Sequence, residues 1–344
     1  MISRRGFLKT LAGIAPILGS AGLCLSFPLW ERLLPGDRAG ELFALDPKSD
    51  LVRLAPRARF WTSVPLAGAD CRQCHPPQEK LAGKRVRHEA GLVKCLLCAQ
   101  GCVIKTGGRG RCRVRMNVGG ELRSLVYGRP MTVHIDPIEK KPFYHFLPGA
   151  AAFSLATSGC PLRCKFCQNW EISQASPEDY QVSPAPPALI VRNAQARQAP
   201  VIAFTYNEPT VFMEYMTDIA REAKKEGLRS VLISCGIMNE APLAELCETL
   251  DAIKIDLKGY DETFYRDVCG AELSPVLRSI KQIAMGRGMH YAYVGNVPDH
   301  SGNNTYCPSC GKVVIKRAGF FIVETKIKTG RCTFCRGKIA GVWS

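Results

Sequence analysis

Four short apolar runs punctuate the middle of the chain, at Phe153–Thr157, Val201–Thr205, Ser230–Ser234 and Ala252–Leu257, and a fifth follows at Tyr291–Gly295. Each is bounded by polar or turn-forming residues, as expected of strands buried on both faces. The stretches between them carry a helical period. In Pro209–Glu226, Val211, Tyr215, Ile219 and Ala223 recur every fourth residue and share a face. Pro186–Gln198, Ala241–Leu250 and Ser274–Ala284 read as further helices. Short buried strands alternating with helices predict a parallel α/β fold, either a barrel or an open sheet with right-handed crossovers.

The flanking regions are patterned differently. Residues 31–60 are rich in Pro, Asp and Arg and read as a linker reaching to about residue 70. A cysteine-rich lobe is expected over 71–150, the α/β domain over 151–298, and a basic segment with short β runs at Val313–Ile315 and Phe320–Val323 over 299–344. The first thirty residues look like an address. Ser3-Arg4-Arg5-Gly6-Phe7-Leu8-Lys9 resembles a twin-arginine export signal, and an apolar stretch from Thr10 to Phe27, broken by glycines and Pro16, follows it. That stretch is short for a membrane span and shows no convincing cleavage site. The expectation is a signal or membrane anchor that directs the chain to the cell envelope or periplasm.

Composition adds two constraints. Apolar content of 46% and charged content of 22% in 344 residues are those of a globular protein with a full core, which excludes bulk disorder. The net charge of +16 suits anionic substrates or an acidic partner. No basic run interleaved with aromatics stands out, so nucleic acid is not an expected partner. Seventeen cysteines, most of them in Cys-x-x-Cys or similar clusters, do not describe a disulfide scaffold. Clustered thiolates at such spacings are ligands for zinc or iron–sulfur.

The most specific of these clusters follows the first central strand. Cys160, Cys164 and Cys167 stand in a Cys-x3-Cys-x2-Cys loop within Gly159-Cys160-Pro161-Leu162-Arg163-Cys164-Lys165-Phe166-Cys167-Gln168-Asn169. Three thiolates at that spacing fit three corners of a [4Fe–4S] cubane and leave one iron open. An open iron can chelate the amino and carboxylate groups of S-adenosylmethionine. Its reductive cleavage yields a 5′-deoxyadenosyl radical that abstracts hydrogen from a substrate. The loop lies at the C-terminal end of a strand, where α/β barrels gather reactive groups.

Several stretches together resemble the radical S-adenosylmethionine (SAM) superfamily, in its pyruvate formate-lyase-activating-enzyme-like branch. Within that branch they are most similar to AmmeMemoRadiSam-system radical SAM proteins. They are Cys95-Leu96-Leu97-Cys98 with Cys102 and Cys112, His134-Ile135-Asp136-Pro137-Ile138-Glu139-Lys140-Lys141-Pro142, Cys160 to Gln174, Thr205-Tyr206-Asn207-Glu208-Pro209-Thr210, Asp256-Leu257-Lys258-Gly259 and Tyr293-Val294-Gly295-Asn296-Val297-Pro298. The resemblance implies a (βα)6 radical SAM barrel and an oxidoreductase that activates a partner protein or acts on a small molecule. It also implies a ferredoxin- or flavodoxin-type electron donor. Asn207 and Glu208 would hold the methionyl amine, Lys258 with Asp256 would lie near the carboxylate, and Phe166 would lie against the adenine.

The other cysteine groups leave alternatives open. Cys95, Cys98, Cys102 and Cys112 suit a closed four-coordinate site, either a second iron–sulfur cluster or structural zinc. Cys71-Arg72-Gln73-Cys74-His75 matches the haem c attachment pattern but also has zinc-ribbon-like spacing. Cys307, Cys310, Cys332 and Cys335 have zinc-ribbon spacing, with a structural or partner-docking role as the default.

In one region the match breaks. Met285-Gly286-Arg287-Gly288 joins the last helix directly to the fifth strand where the family places two further βα units, so roughly sixty residues are missing at about thirty per unit. The expected fold is therefore a partial barrel whose sheet has an unpaired edge. Either the remaining elements rearrange, a second chain completes the barrel, or the copy has lost function. Two functions follow: a radical SAM enzyme, or an iron–sulfur electron-transfer or metal-binding envelope protein that no longer cleaves SAM. Export would also separate the chain from SAM made in the cytoplasm.

Overall fold

Along the computed structural model, which describes residues 47–64, 90–287, 293 and 301–343, the N-terminal part is built of short pieces. Helix α1 (Pro47–Arg53) leads into β1 (Trp61–Ser63), which forms an antiparallel sheet with β2 (Val93–Cys95) and β3 (Val103–Ile104). A separate hairpin follows, β4 (Arg115–Val118) and β5 (Glu121–Ser124), turning at Gly119-Gly120, both with positive φ. Glycine adopts that backbone at no steric cost, which is why the pair sits at this turn.

A five-stranded sheet carries the rest. Its strands are β6 (Thr132–Pro137), β7 (Ala151–Ala156), β8 (Val201–Phe204), β9 (Arg229–Ser234) and β10 (Ala252–Ile255), in the order β10-β9-β8-β7-β6. β7 to β10 run parallel and β6 pairs antiparallel with β7 through all six residues. The connections hold α2 (Trp170–Ser173), α3 (Pro187–Ala196), α4 (Met213–Lys225) and α5 (Glu240–Thr249), and α6 (Leu273–Arg287) follows β10. Each helix needs its apolar stripe covered, and the sheet supplies the cover. Phe153, Leu155, Ile202, Phe204 and Leu232 pack with Ile190, Tyr215, Ile219 and Leu243. Alternate residues Ala152, Val201, Ala203 and Val231 face the other way, onto Ile138, Phe143 and Phe146. Full burial of each large apolar side chain here contributes roughly 1.5–3 kcal/mol.

The four central runs thus form the strands expected of them, and α3 to α6 stand where the helical periods put them. The Tyr291–Gly295 run, the twin-arginine segment and the Cys71–His75 motif lie outside the described residues, Tyr293 excepted. No helix among the described residues is long and apolar enough to cross a membrane.

Two expected boundaries are corrected. Over residues 47–64 the linker expectation fails: Leu51 and Ala55 are buried with Leu125, because they form an apolar stripe spaced four residues apart. The boundary near 150 also moves, since β6 belongs to the α/β sheet. The core is shared as well. Val93, Cys95, Leu97, Val114 and Leu122 of the cysteine-rich part join the same apolar cluster as Phe153 and Ile202. Small apolar clusters of this size bury too little alone and are stabilised by fusing with a larger one.

The C-terminal segment forms a three-stranded antiparallel sheet, β11 (Thr305–Tyr306), β12 (Val313–Ala318) and β13 (Phe321–Thr325), and a small ladder of β14 (Ile327–Lys328) and β15 (Arg331–Cys332). Its tail returns to the sheet. Phe146 bridges Val342, with Leu147 N–H donating to Val342 O (2.8 Å) and Val342 N–H to His145 O (2.7 Å). His145 contacts Ala340 O through Nδ1 (2.7 Å) and the Tyr293 hydroxyl through Nε2.

Burial holds the His145 imidazole down at about 4, against the Ala340 hydrogen bond and with nearby Arg317 adding to the effect. Its folded value therefore lies below the unfolded value of 6.5. Stability from this group is complete above 6.5 and is lost as the pH falls to about 4, where the unfolded chain binds the extra proton. The loss should reach roughly 2–3 kcal/mol. Denaturant unfolding of the wild type at pH 7 and pH 4.5, compared with His145→Gln, should show a smaller acid-induced drop in the variant.

Candidate functional site

Gly159 sets the entry to the cysteine loop at the end of β7. Its φ is +90°, and a Cβ there would stand 2.4 Å from Cys112 O and 2.5 Å from Val114 Cγ1. Only glycine lets the chain pass this close to the cysteine-rich part. The loop beyond it is held by backbone groups. Gly159 N–H donates to Ile172 O (2.9 Å), Arg163 N–H to Cys269 O (2.8 Å) and Lys165 N–H to Val268 O (3.0 Å). Both of the latter acceptors lie on a π-helical turn, Tyr265–Cys269, a backbone irregularity that often marks functional sites.

The three sulfurs fit a cluster better than a single ion. Among the described residues, Cys307, Cys310, Cys332 and Cys335 form the one group of three or more candidate donors whose atoms all lie within 4.8 Å of one another. Cys160, Cys164 and Cys167 are therefore spread more widely. A single zinc at about 2.3 Å per sulfur needs thiolates about 3.8 Å apart, whereas the corners of a cubane hold them farther apart. Burial pushes the Cys160 thiol well up, and Glu208 adds to this. Burial and the adjacent Cys269 thiol push Cys164 up to about 12. Cationic iron would reverse both effects and hold the ligands as thiolates.

Beside the loop, the β8 exit turns sharply. Tyr206 has φ +71°, a left-handed conformation unusual for a bulky residue. Asn207 Nδ2 donates to Thr157 O (2.9 Å) and Gly159 O (2.7 Å), which ties this turn to the cluster loop. Its Oδ1 is buried and accepts nothing. An orphan acceptor fixed in this way suits a ligand ammonium.

Glu208 follows Asn207 in the same turn. Its carboxylate is buried and hydrogen-bonded on both oxygens. Oε1 accepts from Thr210 N–H (3.1 Å), the Thr210 hydroxyl and Ser234 Oγ (2.8 Å), and Oε2 accepts from Cys235 N–H (2.7 Å). These contacts join the ends of β8 and β9.

At the end of β10, Asp256 bridges Lys254 and Lys258, the latter at 3.0 Å. Burial opposes the charge on Lys258, but Asp256 outweighs it and raises the ammonium above its ordinary range. The Lys258 N–H donates to the Tyr265 hydroxyl (2.9 Å), so the pair is anchored to the π-turn behind the cluster loop. Phe166 is half exposed and stacks on Phe264, with ring centroids 6.0 Å apart.

A further group had no role assigned from sequence. Asp136 accepts from Lys140 (2.7 Å), Lys141 (2.6 Å) and the Tyr206 hydroxyl (2.6 Å), and Lys141 lies over the Tyr206 ring at 4.2 Å. Burial alone would raise the Asp136 carboxyl, yet the two lysines and the tyrosine hold it far below the usual range. The network fixes the strained Tyr206, and so Asn207. Its signal was the Asp136-x3-Lys140-Lys141 spacing, which puts both cations on one carboxylate.

The remaining cysteines fall in two places. Cys95, Cys98, Cys102 and Cys112 line one small cavity together with Arg115 and Pro161. In the C-terminal group, Cys307 Sγ lies 3.5 Å from Cys335 Sγ and Cys310 Sγ lies 3.9 Å from Cys332 Sγ, close enough to hold a metal ion.

The family model described as the radical SAM superfamily matches residues 154–286. An uncharacterized protein of Methanocaldococcus jannaschii is 34% identical over 318 aligned residues, covering 72% of this chain and 95% of its own. Since 72% of 344 residues is about 248, the relative has about 70 aligned positions with no counterpart here. A solved structure of TYW1 with a lysine–pyruvate adduct bound aligns at 19% identity and a TM-score of 0.28, over 41% of this chain and 53% of its own.

Gly159→Ala tests the junction. The added Cβ would meet backbone in a left-handed conformation, so the variant should lose at least 2 kcal/mol, by order of magnitude. It should also bind less iron on anaerobic reconstitution, read by thermal unfolding and iron assay together.

Proposed function

Because this chain belongs to the radical SAM superfamily, we propose that it is an activating-enzyme-like oxidoreductase that cleaves SAM reductively at a cluster held by Cys160, Cys164 and Cys167. With a reduced cluster held by these three cysteines, one electron would be available to the sulfonium of SAM, and the 5′-deoxyadenosyl radical so formed would remove hydrogen from a substrate. The observation that carries this reading is the orphan Oδ1 of Asn207, hydrogen-bonded by its amide to the backbone of the cluster loop itself.

The chain's own residues divide the work. Asn207 Oδ1 accepts from the methionyl ammonium. Glu208 is a positioning residue that locks the ends of β8 and β9 so that Asn207 stays aimed. Lys258, kept charged by Asp256, pairs with the methionyl carboxylate. Phe166, with Phe264 behind it, offers a ring face to the adenine. The electron comes from a ferredoxin- or flavodoxin-type donor. The C-terminal cysteines hold a structural zinc. Arg4-Arg5 and the following apolar stretch direct export, as a signal or an anchor. A protein substrate of the activating-enzyme kind is a further part of the proposal.

One observation favours a second reading, an iron–sulfur electron carrier without SAM cleavage. Among the described residues β10 is an edge strand, its four residues all partly exposed, and about 70 positions of the M. jannaschii relative have no counterpart. A shortened barrel of this kind lacks a substrate wall unless a second chain adds strands to β10.

The two readings separate in one assay. Anaerobically reconstituted protein with dithionite and SAM should form 5′-deoxyadenosine, and Cys164→Ala should form none. Asn207→Ala should lower the rate ten- to hundredfold, about the worth of one charge-assisted hydrogen bond. A wild-type cluster that gives no 5′-deoxyadenosine would leave only the carrier reading. Metal analysis should separately find zinc that disappears in a Cys307→Ser/Cys332→Ser variant while iron is retained.

A further inference from the structure

We infer that Cys95, Cys98, Cys102 and Cys112 hold a second iron–sulfur cluster, fully ligated by protein, seated against the loop of the first. The argument begins with spread. In this chain a single-ion site has a recognisable size, that of the C-terminal group, whose donors all lie within 4.8 Å. No three of the Cys95–Cys112 sulfurs meet that limit, yet all four residues line the same cavity. Thiols that converge on one void but stand too far apart for one ion match the corners of a cluster, where inorganic sulfide fills the centre.

A second observation is independent of the cysteines. Arg115 lines the same cavity and is 1% exposed. Its terminal nitrogens are satisfied by Glu214 (2.8 and 3.2 Å) and Arg59 O (2.6 Å), but its Nε has no partner. A buried guanidinium N–H left open costs about 1–3 kcal/mol unless something accepts it. Cluster or cysteinyl sulfur would do so, and the Arg115 charge would offset part of the anionic charge of four thiolates. Arg111 N–H already donates to Cys102 Sγ (3.4 Å), the kind of bond that tunes such clusters.

The position gives the site its meaning. Gln100, between Cys98 and Cys102, donates to Pro161 O (3.3 Å) in the first cluster loop and to Gly270 O (3.2 Å) behind it. Cys112 O packs directly on Gly159, the residue before Cys160. The loops that carry the two cysteine sets are thus in direct contact.

The inference is independent of SAM cleavage and is tested without it. In full-length protein carrying Cys160→Ala, Cys164→Ala and Cys167→Ala, anaerobic reconstitution should leave iron and acid-labile sulfide in equal amounts, with an iron–sulfur EPR signal after reduction. Adding Cys98→Ala and Cys102→Ala should remove both while zinc is unchanged. Should the triple variant fail to fold, Cys98→Ala/Cys102→Ala alone should lower wild-type iron to about half, as for two clusters of equal size. The EPR spectrum of the reduced wild type should also show broadening from a neighbouring spin that this double variant lacks. Zinc that falls on Cys98→Ala/Cys102→Ala while iron stays constant would overturn the inference, as would a triple variant that folds but retains no iron. Failure of the wild type to form 5′-deoxyadenosine, together with iron retained in the triple variant, would sink the proposed enzyme and leave the second cluster standing.

Discussion

The buried carboxylate of Glu208 is the constraint on which the site depends. Four donors from two strand ends meet its two oxygens: Thr210 twice, Ser234, and the Cys235 amide. A buried carboxylate is stable only when fully hydrogen-bonded, so the ends of β8 and β9 have little freedom to part. The turn just before Glu208 can then carry strain. Tyr206 adopts a left-handed backbone because Asp136 and Lys141 hold its side chain from β6 and the turn that follows it. Asn207 is left between two fixed residues, with its amide on the cluster loop and its carbonyl oxygen free. Preorganisation here comes from polar groups that never touch the ligand.

The same economy joins the two halves of the core. The cysteine-rich part has strands of two to four residues, too few to stand alone. It is stabilised by sharing the helix-side core of the sheet and by the buried Arg115–Glu214 pair, which links β4 to α4. That pair is costly to desolvate and would be strongly destabilising to break, so it fixes register between the parts more than it adds stability. Its guanidinium also faces the four-cysteine cavity, which makes one residue serve both the joint and the site.

Periodicity made the sheet and its helices legible, because buried parallel strands and amphipathic helices announce themselves over five or more residues. The sequence also put Cys160, Cys164 and Cys167 in a loop just beyond the first central strand, where the structure has them. What escaped was non-local. β6 reads as a cysteine-lobe segment because its Val133 and Ile135 are exposed and its only strand partner is β7, reached after a 13-residue connection. The short helix α1 reads as linker because its stripe is two residues wide. The four donors around Glu208 were not legible either, since sequence shows a carboxylate at a strand end but not the partners that meet it from the next strand. Asp136 escaped for the same reason, its partner Tyr206 being seventy residues away.

The open edge of the sheet is where these strands of argument meet. β10 ends in Asp256 and Lys258, so the residues nearest the unpaired edge also belong to the candidate SAM pocket. The groups that bind the cluster and orient Asn207 lie on β6 to β9, away from that edge. A loss of barrel strands beyond β10 would thus remove substrate enclosure first, and leave cluster binding and the Asn207 turn untouched. Radical chemistry needs that enclosure, because water and stray side chains quench a reactive intermediate. If the chain turns over, the missing wall has to come from elsewhere, and of the two edges of the described sheet, β6 and β10, it is β10 that lies beside Asp256 and Lys258, where another chain can supply it by strand addition.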